Sequence, residues 1–152
     1  RLENKKFDLD FVREIIEQAA IVYDSKKSAI VELGGGVPKN TAQQTGPLLD
    51  QILKRNDGGQ DYIIQITDAR PDTGGLSGAT LQEGKSWGKI HDAHEGMVTV
   101  YADTTIAFPI LALYVLSNQQ SREPKRLYKK IGELYNKLSK DYFKNPNNIK
   151  KE

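Results

Sequence analysis

Phe11, Val12, Ile15, Ile16, Ala19 and Ala20 recur at intervals of three to four residues, the spacing of one buried helical face; it predicts a helix running to about Asp24, with Asp8 placed to cap it. Ala29 to Leu33 is a short apolar run with β-leaning residues, and it stops at Gly34-Gly35-Gly36 before a second helix-like stretch that ends near Arg55. Tyr62 to Thr67 and Val98 to Ala102 are further strand candidates, each followed by a loop or a helix and not by a tight hairpin. Strands separated by helices predict an α/β fold, a parallel sheet with helices on both faces, and place the loops after Leu33, Thr67 and Ala102 at one edge. From Thr104 a helix is expected through Leu116, capped by the hydroxyls of Thr104 and Thr105; its apolarity on all sides predicts burial. After Pro124, the stripe Leu127, Ile131, Leu134, Tyr135, Leu138 and Tyr142 predicts a last helix with lysines on its other face, packed on the domain or on a neighbouring subunit. One domain over residues 1–143 and a polar, disordered tail over 144–152 complete the expected organisation.

Composition narrows the function classes. Hydrophobic residues make up 38% and charged residues 28% of 152, a globular balance. Net charge is +2, from 22 Lys+Arg against 20 Asp+Glu, too even for the broad positive field that nucleic acid binding needs. The absence of cysteine removes disulfides, thiolate nucleophiles and cysteine metal sites. The longest apolar run, Ile106 to Leu116, is interrupted by Pro109 and falls well short of the ~20 residues that span a bilayer, so no membrane is implied. The chain starts at Arg1 without a signal-like stretch, and the expectation is a piece of a larger enzyme: a fragment, a cut precursor or a separately made chain.

Three segments hold candidate chemistry. Gly34-Gly35-Gly36 after a strand is either a strand-ending turn or a place where a phosphate or nicotinamide ring approaches the backbone; a GxGxxG fingerprint fails, because Lys39 and Thr41 stand where its last glycine is needed. Asp68 to Gly78 follows a strand and carries Asp72, Thr73, Gly74, Gly75 and Ser77, a surface loop or one wall of a ligand crevice. Beyond it lie Glu83 and the run Ser86-Trp87-Gly88-Lys89. A lysine amine attacks a carbonyl or imine only when unprotonated, an indole face attracts ammonium groups, and a carboxylate pairs with them; the same triplet also suits a packed aromatic beside a solvated lysine. His91 and His94, beside Asp92 and Glu95, lack a third strong ligand and sit in a loop-like segment, so no metal site is expected.

Taken in order and spacing, GGGVPKN (Gly34–Asn40), DYIIQIT (Asp61–Thr67), LSGAT (Leu76–Thr80), SWGKI (Ser86–Ile90) and VYADTTIAFP (Val100–Pro109) resemble deoxyhypusine synthase, and the wording is close to the family's bacterial deoxyhypusine synthase-like branch. The resemblance implies a Rossmann-like sheet, NAD as cofactor, and transfer of the aminobutyl group of spermidine through an imine on Lys89 to a lysine of the hypusine-containing translation factor. It implies Glu83, Trp87, Ser86, Gly74 and Asn40 as substrate-binding residues, and Asp68, Ala69, Ser77, Asp103, Thr104, Gly35 and Gly36 as cofactor-binding residues. Three positions depart from the family pattern: Asp68 stands for a threonine, Asn40 for a histidine and Leu76 for a polyamine-binding aspartate. The resemblance further implies a cytoplasmic tetramer whose sites need the N-terminal half of the enzyme. The alternatives to protein modification are homospermidine formation on free putrescine, or a non-catalytic subunit that activates a partner.

Overall fold

The computed structural model describes residues 9–55, 59–90 and 96–144. Helix α1 spans Phe11–Asp24, and Asp10 caps it by accepting a hydrogen bond from the Arg13 amide at 2.9 Å. The cap is thus Asp10, not Asp8, which lies outside the described residues: the side chain must sit three residues before the amide it receives. Strand β1 is Ala29–Leu33, and the helical stretch after the glycines is broken. It runs as α2 (Gly36–Gln43), a short α3 (Thr45–Pro47) and a π-helical turn (Leu48–Ile52), and stops before Arg55. Strand β2 (Tyr62–Thr67) agrees with expectation, and β3 is Met97–Tyr101, one residue earlier than its apolar run.

Both pairings are parallel, in the order β1-β2-β3, which puts the ends of all three strands on one edge. The register sorts side chains by face, since neighbours at the same level point the same way. Glu32 pairs with Gln65 and Ile30 with Ile63 on one face; Val31, Ile64 and Val98, then Leu33, Ile66 and Val100, form apolar rows on the other. The first face is covered by α2 and by α4 (Leu81–Ser86), whose Leu81 packs with buried Ile63 and Ile90. The second meets α5 (Thr104–Asn118), across a cavity of about 400 Å³ lined by Ile64, Ile66, Val98, Val100, Ile110 and Tyr114. The α/β parallel sheet with helices on both faces is therefore the observed architecture.

The larger core lies where α1 crosses α6 (Ile131–Phe143): Ala19, Ala20, Leu49, Leu134 and Leu138 are buried together. Burying Leu138 alone contributes about 2 kcal/mol. Helix α5 corrects the expectation of burial: none of its residues is buried, and Ile106, Ile110, Leu113 and Leu116 are each about two-thirds or more exposed. A three-stranded sheet is too narrow to cover more than one side of a helix that is apolar all round. Its N-cap is Asp103, whose carboxylate accepts from the Thr105 amide (2.7 Å) and hydroxyl (2.6 Å), so the threonine hydroxyls do not cap it. Among the described residues no helix is long and apolar enough to cross a membrane. Residues 145–152 and the histidines at 91 and 94 lie outside the described residues.

Candidate active site

Lys89 is delivered by a helix that is closed at both ends. At the start of α4, the Thr80 hydroxyl accepts from the Glu83 amide (3.2 Å) while the Glu83 carboxylate accepts from the Thr80 amide (3.1 Å), a reciprocal capping box. At its end, the Gly88 amide donates to Lys85 carbonyl oxygen (3.0 Å) and the Lys89 amide to that of Gly84 (3.0 Å). This is a Schellman closure, with Gly88 at φ +71° in the left-handed conformation it requires. The glycine of Trp-Gly-Lys thus turns the chain so that the lysine leaves the helix axis. The Lys89 carbonyl then accepts from the Gln60 amide at 3.1 Å, so its backbone is held from both sides. Gly88→Ala is expected to cost about 1 kcal/mol from the left-handed strain, read by thermal unfolding.

The Lys89 side chain, half-buried, donates to Asn40 Oδ1 at 3.1 Å across 49 positions of sequence. Asn40 is itself oriented by donating to the Gly36 carbonyl at 3.1 Å, so the glycine turn and the lysine are coupled through one amide. Beneath this contact lies a polar layer that the sequence reading left unassigned. Lys39, buried, donates to Gln65 Oε1 (3.2 Å) and to the Ala79 carbonyl (2.6 Å). Gln65 donates to the Gly34 (3.0 Å) and Ser77 (2.8 Å) carbonyls, tying the loops after β1 and β2 together. Gln43 donates to Glu32 Oε1 at 2.6 Å, and Glu32 is 5% exposed. The available signal was a charged or amide residue inside each apolar strand, Glu32 in AIVEL and Gln65 in YIIQIT, at one register level.

Burial sets the electrostatics of this layer. It pushes the Glu32 carboxyl above its ordinary value, opposed by the Gln43 hydrogen bond and the charges of Lys39 and Lys89. It lowers the Lys39 amine, with the nearby Lys89 charge adding to the effect and Glu32 and Glu83 opposing it. The folded state therefore keeps the Glu32 proton at a pH where the unfolded chain has lost it. That stabilising contribution is present below the unfolded value and is lost as pH rises through the raised one. Glu32→Gln, which keeps the acceptor for Gln43, is expected to gain stability relative to the native protein as pH rises through the acid range, measured as the difference in urea midpoints.

The remaining expected site residues divide clearly. Gly35 lies against Ser77, where a Cβ would come within 2.8 Å of the serine Cα, so these two loops meet at the strand ends. Gly36 is left-handed, with only Ser77 Oγ, at 3.9 Å, near its Cβ position, and Gly74 faces open space, also with positive φ. Asp68 and Ala69 continue from β2, and the Ala69 amide donates to Thr67 Oγ1 at 3.1 Å. Asp103 and Thr104 stand at the head of α5; the Thr105 hydrogen bonds hold the exposed Asp103 carboxyl below its usual value. Ser86 donates to the Glu83 carbonyl at 2.7 Å. Trp87 is 68% exposed, an open indole face and not a packed aromatic. Glu83 spends one oxygen on its own helix cap. Among the described residues no three His, Cys, Asp or Glu side chains gather as a metal site.

The deoxyhypusine synthase family model matches residues 1–115. Deoxyhypusine synthase-like proteins of Nostoc sp. and Nostoc punctiforme are 47% and 48% identical over 93% of this chain, which covers 38% of each of them. Probable deoxyhypusine synthase 2 of Archaeoglobus fulgidus is 39% identical over 81% of this chain and 41% of its own length. The chain spans well under half the length of these relatives, and it belongs to the deoxyhypusine synthase family.

Proposed function

We propose that the chain is the lysine-bearing part of an aminobutyltransferase that moves the aminobutyl group of spermidine through an imine on Lys89 to a protein lysine, making deoxyhypusine. The observation that carries this reading is the placement of Lys89: its backbone is pinned on both sides and its amine rests on Asn40 at the head of the glycine turn. A nucleophilic amine that must pass a group onward without releasing it needs such a fixed position. In the transfer, the Lys89 amine adds to the imine carbon of the oxidised polyamine, the carbon–nitrogen bond to the departing diamine breaks, and the diamine nitrogen takes the proton. The group is then held on Lys89 as an imine until an acceptor amine repeats the exchange, and the hydride taken from spermidine would return to the acceptor's imine to leave the amine of deoxyhypusine.

The strand ends fit a dinucleotide: Gly34 and Gly74 leave their Cβ positions open, and the Asp68–Gly78 loop and Asp103 border the same edge. Gly35, Gly36, Asp68, Ala69, Ser77, Asp103 and Thr104 would hold NAD, which supplies hydride acceptance when bound. Trp87 offers its open face to the polyamine, and Glu83 offers its remaining carboxylate oxygen. Trp87→Ala is expected to raise the KM for spermidine severalfold with kcat little changed, since an exposed cation–π contact is worth about 0.5–1 kcal/mol.

The site is completed by the rest of a full-length enzyme, whether the same precursor or a separate chain, in a tetrameric assembly. The apolar rows of the second sheet face and the uncovered sides of α5 are the surfaces left for it. Acceptor choice has a second reading, transfer to free putrescine to form homospermidine, favoured by Leu76, 52% exposed where the family pattern has a carboxylate. Incubation of the complete assembly with labelled spermidine, NAD and either acceptor is expected to label the protein lysine. Label in homospermidine alone selects the second reading, and no labelled product with either overturns both.

A further inference from the structure

We propose that buried Lys39 is a positioning residue for Lys89: a latch closed by Lys39 and Gln65 holds both the helix that carries Asn40 and the loop that starts α4. Its catalytic meaning rests on the reading of Lys89 as the nucleophile; the latch itself does not.

Lysine is costly to bury, because an ammonium taken out of water needs its donors met. Lys39 is 5% exposed, and its amine donates to Gln65 Oε1 at 3.2 Å and to the Ala79 carbonyl at 2.6 Å. Gln65, also buried, donates from its amide nitrogen to the Gly34 (3.0 Å) and Ser77 (2.8 Å) carbonyls. Two side chains that bond each other thus collect three carbonyls, one from the glycine turn and two from the loop after β2. An apolar residue at position 39 would leave the Ala79 carbonyl without this donor, and a carbonyl stranded inside the protein is expensive.

The packing of Gly35 shows independently that the lysine stem is built into the turn. A Cβ on Gly35 would lie 3.2 Å from Lys39 Cδ and 2.8 Å from Ser77 Cα. The glycine therefore leaves the space that the stem and the loop occupy together.

Both arms of the latch lead to Lys89. Asn40 follows Lys39 in α2, and its Oδ1 accepts from the Lys89 amine at 3.1 Å. Ala79 precedes Thr80, the N-cap of α4, and α4 ends in the Gly88 turn that delivers Lys89. Lys39 holds the acceptor of the Lys89 amine on one side and the start of its helix on the other. The Lys39 amine itself is spent on Gln65 and Ala79, which makes it a frame for the nucleophile and not a second one.

The test is hydrogen–deuterium exchange of the full chain, read peptide by peptide by mass spectrometry, which needs neither polyamine nor cofactor. Lys39→Met keeps the stem and removes the donors. It is expected to speed exchange of the amides from Gly78 to Lys89 by about tenfold or more, while α1 and α6, which share a separate core, keep their native rates. Native rates from Gly78 to Lys89, or an equal rise in α1 and α6, overturn the latch. If the methionine variant does not fold, Lys39→Arg, which keeps a charge but overreaches the Ala79 carbonyl, is read in the same way. In the complete assembly with spermidine and NAD, the folded variant is expected to lower the ratio of borohydride-trapped Lys89 adduct to NADH formed by about tenfold. A general loss of folded enzyme lowers both together, so an unchanged ratio overturns the positioning role. If the native assembly leaves no adduct while the local exchange pattern is found, the transferase reading fails and the latch stands.

Discussion

Lys89→Arg is expected to abolish aminobutyl transfer in the assembled enzyme, a loss of about four orders of magnitude or more, with NAD binding retained. The lysine must become a neutral nucleophile and form a carbon–nitrogen double bond, whereas a guanidinium keeps its proton throughout the working pH range. Arginine still fits the position, because Lys89 is half-buried and its side-chain partner among the described residues, Asn40 Oδ1, accepts from a guanidinium as well. The backbone bonds to Gly84 and Gln60 are independent of the side chain, so the fold should be preserved. Some spermidine oxidation is expected to persist, since hydride removal precedes attack by the lysine. Borohydride added during turnover of the native enzyme should leave an aminobutyl group on Lys89, found by peptide mass spectrometry and missing in the variant. Full transferase activity in Lys89→Arg, or an adduct on Lys85 or Lys39, refutes the site.

Gly46→Ala is expected to be a strongly damaging single-methyl change, and one that bears on the turn carrying Lys89. Gly46, buried in α3, faces two backbone segments: an added Cβ would lie 2.6 Å from the Gly88 carbonyl oxygen and 2.7 Å from the Gly59 amide nitrogen. Neither neighbour is a flexible side chain, so α3 must move away from the turn that carries Lys89. Overpacking against backbone costs about 2–3 kcal/mol, at the upper end for a small substitution. In a chain of this size that lowers the unfolding midpoint by roughly 5–10 °C. Because Gly88 is one residue before Lys89, the same change is expected to slow imine trapping at Lys89 in the molecules that remain folded. A midpoint within about 1 °C of the native protein would show that the α3–turn contact is looser than described.

Period and punctuation were enough for the parallel sheet. Ala29–Leu33 and Tyr62–Thr67 are largely apolar runs, each broken by one inward polar residue, Glu32 or Gln65, and the helices between them favour parallel pairing. The family was legible as well, because SWGKI and its companion blocks are local words. The short helix α4 is also encoded locally, in Thr80-Leu81-Gln82-Glu83 as a capping box, so the glutamate that reads as a polyamine ligand also closes a helix start.

Only the tertiary structure decided which residues share the site. Asn40 meets Lys89 over 49 positions, and Glu32 meets Gln43 only because α2 folds back across β1; no local period encodes either contact. It also decided the fate of α5. Apolarity on every side reports a helix that some surface must cover, but how much of that surface belongs to this chain depends on sheet width, and three strands cover one side. The sequence by itself determined the strands, their parallel pairing and the family, since these follow from backbone periodicity and from local sequence blocks. The polar layer beneath Lys89 and the exposure of α5 were decided in three dimensions, because burial and charge coupling depend on distances that sequence separation does not measure.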